Sequence, residues 1–293
     1  MVLKQESRET LAEALRHPRY EVFPLEGGED AIVRHVPKYI KLTVTASPKR
    51  GIETTLDVAG RLAGWGYRVV PHLSARLVAD RAHLASILER MRELELREAF
   101  VVAGDLDEPT GEFTDAYELL SAMAKIGHDL KEIGITGYPE SHPIISDEDT
   151  IQAMYDKAPY ATYIVSQICF DPGVIAGWVQ RVRRRGVDLP IYIGFPGVID
   201  RQKLLRISTR IGLGESVRFL SKNKLWLLRL FAPGYKPDHL LKELSPCLAD
   251  PALKIRGFHV YTFNEVEKTE AWRRETLDRL GELPRSEIRG ALR

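Results

Sequence analysis

Six polar side chains stand in contexts that single them out for chemistry. Glu21 sits among Tyr20, Val22, Phe23 and Pro24, and a carboxylate in apolar surroundings is costly unless it is used or paired. Asp105 follows Gly104, His72 follows Pro71, and Gln167 lies between Val165 and Phe170. His142 falls in a proline-flanked loop, and Tyr261 precedes Thr262-Phe263-Asn264. Each has a plainer reading: an edge carboxylate, a loop cap, an interior histidine, a buried amide with partners, a barrel aromatic. The chemistry these types allow is restricted. There is no G-x-S-x-G and no Ser/His/Asp arrangement to defend. His72 and His142 lack an H-x-H or H-x-x-x-H partner, so no metal centre is expected. What remains is acid–base work by Glu21 and Asp105, with amide and aromatic groups shaped to hold flat heterocycles. That suits an enzyme whose hard chemistry comes from a cofactor.

Composition narrows the class further. The 293 residues are 44% hydrophobic and 28% charged, which is globular. Lys and Arg number 42 against 41 Asp and Glu, so no charge excess points to nucleic acid or an anionic membrane as a partner. Two cysteines, Cys169 and Cys247, exclude a disulfide scaffold and suit a reducing cytoplasm. The charged residues Lys4, Glu6, Arg8, Glu9, Glu13 and Arg16 leave no signal-peptide core. No apolar run approaches the ~20 residues needed to span a bilayer.

The elements that must position these side chains alternate. Eight β-rich runs are read as strands: Tyr20–Phe23, Ile40–Thr45, Arg68–His72, Ala99–Ala103, Glu132–Thr136, Thr162–Gln167, Ile191–Phe195 and Gly257–Tyr261. Several are apolar at nearly every position, as parallel strands covered on both faces must be. Helical patterns follow at Glu29–His35, Thr54–Gly64, Asp80–Leu96, Thr114–Ile126, Asp147–Lys157, Val174–Arg185 and Arg201–Ile211. Asp80 and Asp147 stand as N-caps, Gly127 and Gly186 as C-terminal glycines. The long connection 196–256 holds a further helical stretch, Glu215–Phe231, and residues 1–19 are expected to form a helix under the sheet. Eight β-then-α units over 1–293 read as a single (β/α)8 barrel domain. A doubly wound sheet is the rival, although no G-x-G-x-x-G follows the first strand.

In a barrel the active site lies at the C-terminal strand ends. Those ends carry Glu21, Thr45, His72, Gly104-Asp105, Tyr138, Gln167, Phe195 and Tyr261, a polar and aromatic set for one mouth.

Seven segments in order resemble the methylenetetrahydrofolate reductase family: YEVFP (20–24), LTVTASP (42–48), PHLSAR (71–76), VVAGD (101–105), ITGYPESHP (135–143), YIVSQICFD (163–171) and FHVYTFNE (258–265). The resemblance implies a flavin-containing barrel that reduces 5,10-methylenetetrahydrofolate with a hydride from NAD(P)H. It casts Glu21 as the acid that opens the folate ring, Asp105 as the carboxylate facing pterin and flavin, and Gln167 and Phe195 as substrate contacts. Thr45, His72, Gly104, Tyr138, His142, Lys157 and Tyr261 would contact FAD. A tetrahydrofolate-type substrate, a homo-oligomer and a cytoplasmic location complete the expectation.

Departures from the family pattern concern mainly the flavin, and at Ile207 the aromatic expected to pack on the substrate or nicotinamide. Ala103 stands for an arginine, Ala46 and Ile207 for aromatics, Asp156 for a basic residue, and Glu265 for an arginine. Losing a charge-assisted hydrogen bond weakens binding by about 1.5–3 kcal/mol, so weak FAD binding is expected. Two other readings stay open: a non-catalytic folate- or flavin-binding barrel, and a metal-assisted lyase or hydrolase with its metal near His72.

Overall fold

The computed structural model describes residues 5–25, 27–47, 49–140, 147–169, 171–199 and 237–281. The eight β-rich runs form eight strands: β1 (Arg19–Val22), β2 (Lys41–Val44), β3 (Val69–Ser74), β4 (Glu98–Val102), β5 (Glu132–Gly137), β6 (Tyr163–Ser166), β7 (Ile191–Pro196) and β8 (Ile255–Tyr261). Neighbours pair in parallel and in chain order. β8 returns to β1, with Arg19 opposite His259 and Glu21 opposite Tyr261. The sheet is therefore a closed barrel, which excludes the open doubly wound alternative.

Around it lie α1 (Gln5–Arg16), α2 (Gly28–His35), α3 (Gly51–Gly64), α4 (Arg81–Glu93), α5 (Ala116–Ile126), α6 (Asp147–Lys157), α7 (Pro172–Arg184), α8 (Asp238–Ala249) and α9 (Val266–Arg279). Local chemistry sets their ends. Asp80 accepts from the His83 N–H at 2.7 Å, and Asp115 from Glu118 at 2.9 Å; such caps satisfy otherwise orphaned donors. Asp171 accepts from Gly173 and Val174, starting α7 two residues earlier than the pattern suggests. Asp147 is the first residue of α6. The expected helices 201–211 and 215–231 lie outside the described residues.

α8 and α9 are additions to the sequence reading. Pro246 sits inside α8 and deprives the Lys242 carbonyl of its helical donor; the Ser245 hydroxyl donates to that carbonyl instead, at 2.8 Å. α1 packs against α8, β8 and α9, burying Leu11, Ala12 and Leu15. No described helix is long and apolar enough to cross a membrane.

Strand alternation divides the side chains into two sets. Outward residues such as Tyr20, Val22, Leu42 and Ile164 join the helices in the main core. Inward residues form two tiers. At the N-terminal end Lys41 pairs with Glu98 (2.5 Å) and Glu132 (3.0 Å), Arg19 with Glu132 (3.1 Å), and Arg68 with Glu98 (3.1 Å). The Arg19 guanidinium lies between the rings of Tyr163 and Tyr192, 3.9 and 4.1 Å from their centroids. Burial opposes its charge, but those rings and Glu98 outweigh it and hold its pKa above the usual value. Phe100, Val70 and Val165 fill the middle. Above them stands Glu21.

Candidate active site

Glu21 faces the barrel interior between two histidines. Its Oε2 is 3.0 Å from His259 Nε2 and 3.7 Å from His72 Nε2, so only His259 is within hydrogen-bond range. His259 is wholly buried, His72 nearly so, and the Glu21 side chain keeps 12% of its surface exposed. Burial pushes the Glu21 carboxyl up to about 7, with His72 pulling the other way. Burial takes His72 down to about 4, against Glu21 and with His259. It takes His259 down to about 3, with Arg19 adding to the effect. At neutral pH the imidazoles are uncharged and the carboxyl is poised between its two forms, the condition for giving or taking a proton.

The strand that supplies His259 also fixes the backbone around Glu21. The Glu21 carbonyl accepts from Thr262 Oγ1 at 2.6 Å. Asn264 clamps Phe23 at both ends, accepting from its N–H (2.8 Å) and donating to its carbonyl (3.1 Å). The clamp places Phe263 and Asn264 in the left-handed region, φ 51° and 60°, a strain of order 1–3 kcal/mol per residue that must be over-determined by contacts to persist. YEVFP and HVYTFN, far apart in sequence, are two halves of one device.

Several other expected residues gather nearby. Tyr261 stacks edge-on to His259, with ring centroids 4.9 Å apart, and donates to the Ser166 carbonyl at 3.0 Å. Burial pushes its hydroxyl well above the ordinary value, with Glu21 and Tyr138 acting in the same direction. Tyr138 accepts from Thr136 at 3.3 Å. The Thr45 N–H bonds the Val22 carbonyl, which places Thr45 beside the end of β1. The Gln167 N–H bonds Gly137, next to Tyr138. Gly104 has φ +99°, and a Cβ there would lie 1.9 Å from Ser74 Oγ, so only glycine lets the end of β4 close on β3. Asp105 follows it, exposed.

Two expected residues are not brought to this cluster. Phe195 is wholly buried against Phe258 and Trp272, between the barrel and α9; its position on the strand turns it outward, and the expected substrate contact is corrected accordingly. Lys157 is buried at the end of α6, its charge disfavoured by burial and offset by Asp115 and Asp156. His142 lies outside the described residues.

His259, Thr262 and Asn264 belong to a segment noticed in the sequence, yet nothing there singled them out. The missed signal is period two: His259 shares a strand face with Tyr261. Among the described residues no group of three or more His, Cys, Asp or Glu is arranged to hold a metal ion.

The family model for methylenetetrahydrofolate reductase matches residues 29–214. The chain belongs to that family. Methylenetetrahydrofolate reductase 2 of Saccharomyces cerevisiae (strain ATCC 204508 / S288c) is 29% identical over 183 residues, 59% of this chain and 29% of the yeast protein. Methylenetetrahydrofolate reductase 1 of Schizosaccharomyces pombe (strain 972 / ATCC 24843) is 31% identical over 123 residues, 39% of this chain and 20% of that protein. The matched regions thus span under a third of either relative's length. Among solved structures, oxaloacetate acetylhydrolase with the inhibitor 3,3-difluorooxalacetate superposes at TM-score 0.51 with 11% identity, covering 95% of this chain and 87% of that one. At that identity the likeness concerns the barrel alone. Glu21, His259 and Tyr261 lie outside the family-model match, whereas His72, Asp105 and Gln167 lie within it.

Proposed function

We propose that this protein reduces 5,10-methylenetetrahydrofolate to 5-methyltetrahydrofolate with NAD(P)H. The observation that carries the reading is Glu21: a buried carboxyl poised near neutral pH, at the strand ends of a barrel in this family. Glu21 donates a proton to the ring nitrogen of the bound folate, and the C–N bond opens to give a cationic iminium. Asp105 stabilises that cation by its negative charge as hydride arrives at the same carbon. Gln167, whose amide makes no hydrogen bond to another described residue, orients the pterin.

The donor set fits a flat flavin ring better than its phosphates. His72 Nε2 is buried without a partner, and Thr45, Tyr138 and Tyr261 stand around the same mouth. By contrast the Lys157 charge is already offset by Asp115 and Asp156. FAD, when bound, supplies relay of hydride from the nicotinamide to the folate. Thr45, His72, Gly104 and Tyr138 would hold its ring, with readier dissociation than the family pattern implies.

The test is NAD(P)H oxidation dependent on methylenetetrahydrofolate, with and without added FAD. Turnover in either condition supports the reading. No turnover in both leaves a non-catalytic folate- or flavin-binding barrel as the better account.

A further inference from the structure

Two histidines approach one oxygen of Glu21, and they are not equivalent. His259 Nε2 lies 3.0 Å from Oε2. His72 Nε2 lies 3.7 Å away and has no hydrogen-bond partner. The ring of His259 is held by edge contact with Tyr261 and a tilted contact with Phe100. Its other nitrogen, Nδ1, is buried and unpartnered. A buried N–H without an acceptor is rarer than a bare acceptor lone pair, so the unpartnered Nδ1 is the one without the proton. Nε2 then carries the hydrogen and donates to Glu21.

We infer that His259 is a positioning residue for Glu21: by donating from Nε2 to Oε2 it fixes the carboxyl rotamer and leaves Oε1 as the oxygen that carries the acid proton to the substrate. The inference rests on the proposed folate reduction, which needs an acid at Glu21, but the coupling of the two side chains is measurable without turnover. The groups facing this pair are Arg19 on β1, which acts on His259; His72 on β3; and Tyr261 on β8, with Tyr138 beside it. The Tyr261 hydroxyl is committed to the Ser166 carbonyl. His259 is therefore the donor that sets the carboxyl.

A donor to a carboxylate favours its ionised form, so removing it raises the midpoint at which Glu21 titrates. Infrared difference spectra follow the carbonyl stretch of protonated Glu21, identified as the band that disappears in Glu21→Gln. The wild-type midpoint is expected near 7. His259→Phe keeps the ring but not the donor, and should move the midpoint up by about one pH unit. His259→Gln, whose amide nitrogen reaches the Nε2 position, should bring it back. In folate reduction the alkaline limb of the pH–rate profile should follow the same order, with turnover at neutral pH about 10- to 100-fold lower in His259→Phe from loss of orientation.

An unmoved midpoint in His259→Phe, a His259→Gln midpoint no nearer wild type, or a fall in rate with no shift of the limb overturns the inference; the last marks a merely structural role. If the substitutions do not fold, nitrogen-15 shifts of His259 in the wild-type protein decide: the Nε2–H tautomer supports it and the Nδ1–H tautomer overturns it. A wild-type protein that never reduces folate, yet shows the midpoint shift and its rescue, would remove the proposed function and leave the coupling standing.

Discussion

Arg19 and Glu21 stand two residues apart on β1, face the same interior, and meet opposite treatment. Arg19 lies between two tyrosine rings with Glu132 beyond, in a tier where Lys41, Arg68, Glu98 and Glu132 neutralise one another. Glu21 receives no counter-charge that persists at neutral pH. Its neighbours are imidazoles driven to the uncharged form by the same burial that raises its own pKa. One end of the barrel neutralises its charges; the other leaves a carboxyl hydrogen-bonded to His259 but without a counter-charge. Perturbed groups of this kind concentrate where chemistry is done.

The largest expected effect tests the upper tier. Glu21→Gln should fold yet lose on the order of 10²–10⁴ in folate reduction, the range for losing an acid–base group. Oxidation of the nicotinamide by bound flavin should be little affected, and stopped-flow measurement of the two half-reactions separates them. Equal slowing of both would mean that the carboxyl serves another role.

Breaking the lower tier should tell in stability instead. Arg19→Met removes one partner from a buried ionic network, a change that costs about 3–5 kcal/mol. The low end applies, because Glu132 keeps Lys41. Urea unfolding measures the loss. A stable variant without turnover would erase the division between the tiers.

The same substitution at Glu21 has an opposite stability effect, and pH reveals it. A carboxyl whose native pKa is near 7 rather than the ordinary 4.5 holds its proton in the fold after the unfolded chain has released it. Its unfavourable contribution is absent below about 4.5 and complete above about 7, so wild-type stability falls across that window. Glu21→Gln should match wild type near pH 4.5 and exceed it by about 3 kcal/mol above pH 7.5. A gap that does not vary with pH would show that burial is not what raises the carboxyl.

The smallest effect concerns the strained clamp. Asn264→Ala loses both bonds to Phe23 and keeps the left-handed backbone, for a loss of about 1–3 kcal/mol. Asn264→Gly should recover about 1 kcal/mol of it, since glycine accepts that conformation. Thermal unfolding of the pair checks the difference.

The barrel was legible because the strands are short β-rich runs, several of them apolar at nearly every position, and several helices carry their own punctuation, Asp80 and Gly127 among them. Helix α8 was not, because Pro246 reads as a break and the compensating Ser245 hydroxyl is visible only in three dimensions. Glu21 could be singled out because a lone carboxylate among Tyr20, Val22 and Phe23 is conspicuous. Its partner His259 was hidden, being one polar residue in a strand whose interior face shows only once the register with β1 is known. Phe195 was misread for a related reason: proximity to a strand end says nothing about which face a side chain takes, and one residue of phase turns it from the mouth to the helices.

The distance along the chain between Glu21 and His259, 238 residues, has a consequence for how the protein comes into being. A contact so remote closes a long loop, and pairings of that kind are intrinsically slow to form. Until β8 docks beside β1, water reaches Glu21 and it titrates as any surface carboxylate does. On the ribosome, residue 21 emerges long before residue 259 has been added. In a nascent or opened chain Glu21 therefore lacks its partner His259, and the titration of a single side chain records whether the strand that carries that partner has docked.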